Sequence, residues 1–274
     1  MATSNSVILN RLSFDYFLYV LLNIYWFARS ALLNPSLLFC LIRFNLVPFP
    51  FECRNVNQTL ELLLHSEKSF VRLGDGDLAL YFFHWKKWWS KRVRIGYYSL
   101  LCKPKDNLIL GIPDVITSDL TIRPNVNASH LRLLSFYFAS LMSRVNHCYG
   151  SSFAFRKQQY IPRELSINLL EYFFRLTERY DDVIIVCDVN SSLNDFHSTL
   201  KKEKKLVKPI LITVPSEWNV ISVDNTLNKI ARLRDKNREQ LVLLSYGHVA
   251  RWASFDMINI GFRIIDVGQI SFNY

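Results

Sequence analysis

Ser69-Phe-Val-Arg-Leu-Gly-Asp-Gly-Asp-Leu-Ala-Leu-Tyr81 sets a pattern around which the rest of the chain is organised. Phe70 to Leu73 is short, apolar and β-prone. Gly74-Asp75-Gly76 interrupts it, and Asp77 precedes the strongly apolar run Leu78 to Phe83. That order reads as strand, glycine turn and helix start, with Arg72 and two carboxylates crowded at the turn. Glycine lets a backbone pass close to a ligand without a Cβ in the way. Carboxylates two residues apart can hold a hard divalent cation, and the cation can hold phosphate. The same residues also suit a plain hairpin turn, since Asp-Gly is a common turn pair and Asp77 a good N-cap.

Downstream the pattern becomes regular. Asn107 to Ile112 reads as a strand ending in Pro113-Asp114, and Asp182 to Cys187 as one ending in Asp188-Val-Asn-Ser-Ser192. Ile210 to Val214 runs into Pro215-Ser-Glu217. Leu241 to Leu244 runs into Ser245-Tyr-Gly-His248, and Arg263 to Val267 into Gly268-Gln269. Helical segments lie between several of them: Val223, Leu227, Ile230 and Ala231 share one face, and His248 to Asn259 is apolar-rich. Near-continuous aliphatic strands alternating with helices predict an α/β fold, a Rossmann-like, mostly parallel sheet covered on both faces. The strand bodies are aliphatic, and Gly, Asp, Asn, Ser and His gather at their C-terminal ends. Open α/β sheets bind ligands in that crevice.

With 274 residues, half of them hydrophobic, the chain can bury one sizeable core or a core plus a small addition. The formal charge is +10 and the pI about 9.4. Residues 1–65 hold four basic and three acidic residues, so the surplus belongs to the part downstream. A basic surplus favours anionic partners such as nucleotides, phosphorylated substrates or acidic lipid. Nucleic acid ranks last, because the charge is spread along the chain and no recognition motif appears. The five cysteines are scattered and never spaced Cys-x-x-Cys, which fits a reduced, cytoplasmic compartment.

Residues 14–42 are the most apolar part, yet the clean run from Tyr16 to Ala28 falls short of the roughly 20 residues a spanning helix needs. Tyr16, Tyr19, Tyr25 and Trp26 suit a helix lying at the headgroup level of a membrane, peripheral on its inner face; packing on the domain or on a partner subunit is the alternative. Phe44 to Glu52, with two prolines, reads as a linker. The expected division is an apolar helical N-terminal extension and linker over 1–56 and a catalytic domain over 57–274, beginning with an amphipathic helix carrying Leu60, Leu63 and Leu64. His84 to Arg94 interleaves tryptophan with lysine and arginine. It could grip an acidic lipid surface, a phosphate-bearing acceptor or, by stacking, single-stranded nucleic acid, or be a solvated helix face with its tryptophans packed inward. Lys201 to Lys205 reads as solvated charge.

There is no P-loop, no H-E-x-x-H, no G-x-S-x-G elbow and no full G-x-G-x-x-G, Ala79 standing where a third glycine would be. Of the six histidines only His248, beside Gly247 at a strand end, sits where chemistry could happen.

With these residues placed, the chain from about Ser66 to Tyr274 resembles the bacterial glycosyltransferases of the GT-D fold. VRLGDGD (71–77) is similar to that family's arginine–aromatic–GDGE element and GIPDV (111–115) to its G-x-P-D strand end. Tyr149-Gly150 with Phe153 to Arg156 is similar to a segment ending in arginine. VCDVNSSLND (186–195) resembles the strand with its small polar phosphate loop, and Val214 to Ile230 the P-x-x-N-A-F position and following helix. SYGHVA (245–250) and GFRIIDVGQISFNY (261–274) resemble the G-x-x-A and D-I-G-H-x-D-x-E-Y landmarks. Two departures fall where metal or donor contacts are expected: Asp77 replaces the family's glutamate, and Gln269 its histidine, with Ser271 and Asn273 at the acidic positions beyond.

The resemblance implies transfer of a sugar from a nucleotide-sugar donor, a UDP-sugar foremost, to a glycan or glycoconjugate acceptor. It implies assistance by a divalent metal, Mn²⁺ or Mg²⁺. Asp75 and Asp77 are then the metal-ligand candidates, and Asp75, Asp77 and His248 the catalytic ones. Arg72, Gly74, Arg156, Asn190, Ser191, Ser192, Gly247, Asp266 and Gln269 would line the nucleotide site. The base for the acceptor hydroxyl stays open among Asp114, Asp188, Glu217 and His248. Two other readings use the same residues: a metal-dependent phosphohydrolase, and a non-catalytic, membrane-associated nucleotide-binding module.

Overall fold

The computed structural model describes residues 53–73, 91–103, 105–112, 148–151, 154–155, 168–203, 207–215, 220–247, 249–268 and 270. Seven strands run through them: β1 (Ser69–Arg72), β2 (Leu108–Ile112), β3 (Cys148–Ser151), β4 (Asp182–Asp188), β5 (Lys208–Val214), β6 (Gln240–Ser245) and β7 (Arg263–Asp266). Six helices accompany them: α1 (Val56–His65), α2 (Lys91–Cys102), α3 (Leu169–Thr177), α4 (Ser192–Glu203), α5 (Val220–Arg232) and α6 (Val249–Asn259). The strands form one sheet in the order β3-β2-β1-β7-β6-β4-β5, and every pairing is parallel. All strand C-termini therefore point to one edge.

Alternate strand residues feed two separate cores. Val71, Leu110, Ile184, Val186, Val242, Leu244 and Ile264 join α2, α5 and α6 on one face. Phe70, Ile109, Val183, Ile185, Leu241, Leu243 and Ile265 join α1, α3 and α4 on the other. A strand buried on both sides has no polar alternation to show, which is why these runs read as continuous aliphatic stretches. α1 and α3 open on asparagine side-chain caps. At α1 the Gln58 amide donates to Asn55 Oδ1 (2.9 Å) and the Asn55 amide donates back to Gln58 Oε1 (3.0 Å), a reciprocal capping box.

Where the expected elements fall among the described residues they are found, with ends shifted by a residue or two. Two details differ. β3, with the sequence CYGS, carries little intrinsic strand preference and was not anticipated; it forms because Leu110, Gly111 and Ile112 of β2 supply its ladder. On α5 the inward face is Val223, Thr226, Leu227 and Ile230, while Ala231 is exposed. Alanine is small enough to stand on either side, and the Thr226 hydroxyl turns back to donate to the Ser222 carbonyl (2.9 Å), so its methyl can face the core. Lys201 and Lys202 are exposed, as solvated charge should be. Residues 14–42, the linker, and Trp85, Trp88 and Trp89 lie outside the described residues. No helix among the described residues is long and apolar enough to cross a membrane.

The N-terminal edge of the sheet is closed by internal polar networks. Arg263, nearly buried, donates from Nε to the Lys68 carbonyl (3.0 Å) and reaches Tyr180 Oη and the Leu63 carbonyl. Asp182 pairs with Arg238 Nη2 (2.9 Å) and accepts from Gln240 Nε2 (2.9 Å).

α2 lies against α6 at Gly96. A Cβ built there would come 2.5 Å from the Trp252 carbonyl oxygen, and Trp252 is the largest fully buried side chain among the described residues. The obstacle is backbone, so it cannot swing aside. Gly96→Ala is expected to cost about 1–3 kcal/mol through overpacking, read as a lower Tm. A melt within about 1 °C of the parent would contradict this contact, since ~1 kcal/mol shifts a domain of this size by roughly 2–4 °C.

Candidate functional site

The crevice begins where β1 and β7 part. Their ladder has one register pair, Phe70↔Ile265, whereas β1 and β2 are in register over four. At Arg72 side chains take over from the strand. The Arg72 amide donates to Asp266 Oδ2 (3.3 Å), and the Arg72 carbonyl accepts from Arg251 Nε (3.1 Å). On the other side the Leu73 amide donates to the Gly111 carbonyl (2.7 Å), so β1 keeps its pairing to β2 there.

Asp266 is fully buried, and its two oxygens are held from three directions. Arg251 Nε stands 3.4 Å from Oδ2, Arg72 Nε stands 3.8 Å from Oδ1, and the Gly268 amide donates to Oδ1 (3.0 Å). A carboxylate withdrawn from water this completely is tolerated only with such partners. Gly268 has φ +58°, and a Cβ on it would lie 1.4 Å from Arg72 Nη2 and 2.4 Å from Cζ. The guanidinium of Arg72 therefore occupies the space that a side chain at 268 would need.

A second cluster forms at the ends of β4 and β6. Asp188 closes a tight turn: its Oδ1 accepts from the Asn190 amide (2.9 Å) and its carbonyl from the Ser191 amide (3.0 Å). Ser191 Oγ accepts from the Leu193 amide (3.3 Å), opening α4, and donates across to Ser245 Oγ (3.5 Å) at the end of β6. Asn190 is exposed, and Ser191 and Ser192 are half-buried at the start of α4, where the helix dipole favours an anion. Gly247, exposed, takes φ +50° with nothing within 4 Å of a Cβ position. Behind this turn, burial pushes the Cys187 thiol up to about 11, so it stays protonated and unreactive at neutral pH.

The structure thus places Arg72, Asn190, Ser191, Ser192, Gly247 and Asp266 along one edge, on β1, β4, β6 and β7. Arg72 and Asp266 are in direct contact. From β1 to β4 is three strand spacings, about 14 Å, a span suited to an extended ligand. Gly74, Asp75, Asp77, Asp114, Arg156, Glu217, His248 and Gln269 lie outside the described residues. Among the described residues no three His, Cys, Asp or Glu side chains come together as a metal site. Asp266, with Arg72, Arg251 and Gly268 on its oxygens, is built as an anchor. Two members of the site were not anticipated, Arg251 and Gly268. The available signal for Arg251 was a cation in the first turn of an apolar helix, where the dipole disfavours it.

Residues 70–274 match the family model "Glycosyltransferase GT-D fold". The chain belongs to the GT-D fold glycosyltransferases. It is 22% identical over 232 residues to "Glycosyltransferase GlyD" of Streptococcus pneumoniae serotype 4, a match covering 81% of this chain and 27% of that protein. The chain thus spans about a quarter of the length of that curated relative. Two solved structures share the fold. One is "The highly conserved domain of unknown function 1792 has a distinct glycosyltransferase fold", with TM-score 0.59 and 24% identity, covering 80% of this chain and 79% of that one. The other is "A New Glycosyltransferase (DUF1792) from Streptococcus sanguinis", with TM-score 0.60 and 22% identity, covering 80% and 82%.

Proposed function

We propose that this GT-D chain transfers a sugar from a nucleotide-sugar donor, a UDP-sugar foremost, to a hydroxyl of a glycan or glycoconjugate. The observation that carries this reading is the buried Arg72–Asp266–Arg251 arrangement where β1 and β7 part, two residues before Gly74-Asp75-Gly76-Asp77. In the transfer the anomeric carbon–oxygen bond to the diphosphate breaks, and a new one forms to the acceptor oxygen. The acceptor's proton passes to a base, and a nucleoside diphosphate leaves. Charge gathers on the diphosphate and must be met by fixed cations and donors.

Arg72 and Arg156 are assigned to that charge, and the Asn190–Ser192 turn with the start of α4 to phosphate oxygens. Gly247 and Gln269 line the pocket, while Asp266 contributes by holding Arg72. Asp75 and Asp77 would hold Mn²⁺ or Mg²⁺, which supplies further neutralisation of the leaving group. His248 is the candidate base, with Asp188 less suited because one of its oxygens is committed to the turn. The apolar segment 14–42 would bring the enzyme to the inner face of a membrane, where a lipid-linked or surface glycan acceptor is assembled.

The test is calorimetric titration of UDP with Mn²⁺ into the full chain, repeated with EDTA and in Asp77→Ala. Metal-dependent binding that Asp77→Ala abolishes is the expected result. Binding indifferent to both removes the metal role of Asp77 and leaves a nucleotide pocket. Absence of binding to UDP, GDP and CMP ends the donor-site reading.

A further inference from the structure

Arg251 belongs to no motif of the sequence, and its placement is costly by local rules. It is the third residue of α6, where a cation opposes the helix dipole. It reaches two groups at once: Nε donates to the Arg72 carbonyl at 3.1 Å and stands 3.4 Å from Asp266 Oδ2. The second oxygen is also the acceptor of the Arg72 amide (3.3 Å).

In a parallel ladder the amide and carbonyl of one residue point to the same neighbour. Leu73 pairs with β2, so the two backbone groups of Arg72 face β7. There β7 offers a carboxylate in place of a strand carbonyl, and α6 offers a guanidinium in place of a strand N–H. Together they continue the β1–β7 ladder one step beyond the point where the backbones diverge. The single N–H on Arg251 Nε is fixed in the guanidinium plane and is aimed at the Arg72 carbonyl beside the carboxylate, whereas an ammonium on a flexible stem has no such fixed direction.

From this geometry we infer that Arg251 is the positioning residue of the donor site. It holds the last residue of β1, and with it the Arg72 guanidinium, in the register that binding requires. It acts through Arg72 and Asp266 and touches no substrate itself. The inference rests on the donor-site reading for its functional half; the structural half stands on the contacts alone. A side chain present merely to neutralise Asp266 would serve equally well as lysine.

The experiment compares the full chain with Arg251→Lys and Arg251→Ala by thermal melt, amide hydrogen exchange and UDP titration with Mn²⁺. Arg251→Lys keeps the charge beside Asp266, so its Tm should stay near the parent's. Exchange at the Arg72 amide should nevertheless rise about tenfold or more, while the amides of β4 and β6 keep their protection, because local opening is independent of the global one. UDP affinity should fall at least about tenfold, since misplacement of a binding group by about 1 Å is enough. Unchanged Arg72 exchange in both variants overturns the inference, as does a rise shared equally by β4 and β6. Equal UDP affinity in the parent and Arg251→Lys overturns its functional half. A parent chain that binds none of UDP, GDP and CMP counts against the donor-site reading, and the exchange measurement then decides the positioning role by itself.

Discussion

Asp266→Ala is expected to cost about 3–5 kcal/mol of stability, the range for removing one partner of a buried ion pair. The substitution leaves the Arg72 and Gly268 amides without their acceptor and two guanidinium groups beside an apolar methyl. Each of those groups had given up water for the carboxylate, and none can recover it inside the sheet. At roughly 2–4 °C per kcal/mol the Tm should fall by about 10 °C. Asp266→Asn retains an acceptor of the same shape and should recover part of the loss, with the charge accounting for the rest. Thermal and denaturant melts of the three proteins check this. A melt of Asp266→Ala within about 2 °C of the parent would mean that Asp266 is not the anchor described.

Gly268→Ala is the second large effect, and it separates two causes. The residue has φ +58°, which costs a non-glycine residue about 1–2 kcal/mol. Its Cβ would also overlap Arg72 Nη2 at 1.4 Å. The guanidinium must therefore leave its place, and UDP affinity should fall by about a hundredfold, the penalty typical of misplacing a binding group. Gly247→Ala serves as the comparison for stability: φ +50°, with open space around the Cβ position. It should show the backbone strain alone, a loss of about 1–2 kcal/mol. Melts and titrations of the two variants side by side decide the matter. If Gly268→Ala destabilises no more than Gly247→Ala and binds UDP like the parent, Arg72 does not need its present position.

The edge on which the described candidate residues lie is legible in the sequence. Val183 to Val186 and Leu241 to Leu244 are aliphatic without alternation, which only a strand covered on both faces requires. Polar residues accumulated at the ends of those strands, and in an all-parallel sheet every such end lies on one edge. Arg72, Asn190, Ser191, Ser192, Gly247 and Asp266 were accordingly found on that edge. β3 escaped notice because Cys-Tyr-Gly-Ser has no strand signature of its own and is held by β2. Thr226 escaped because a hydroxyl reads as polar, although the helix backbone satisfies it.

Local pattern alone carries the layered α/β architecture and the edge on which a ligand can sit. Both follow from short-range periodicity and from the cost of burying polar backbone. The face each strand residue takes, and the placing of β7 beside β1, come from the packed sheet. From that adjacency come the contacts of Arg72 with Arg251, 179 residues away, and with Asp266, 194 residues away. No local pattern encodes them: strand order depends on how the crossovers pack over the whole sheet. Two arginines, one aspartate and one glycine acquire their roles only when distant segments bring them to one desolvated point.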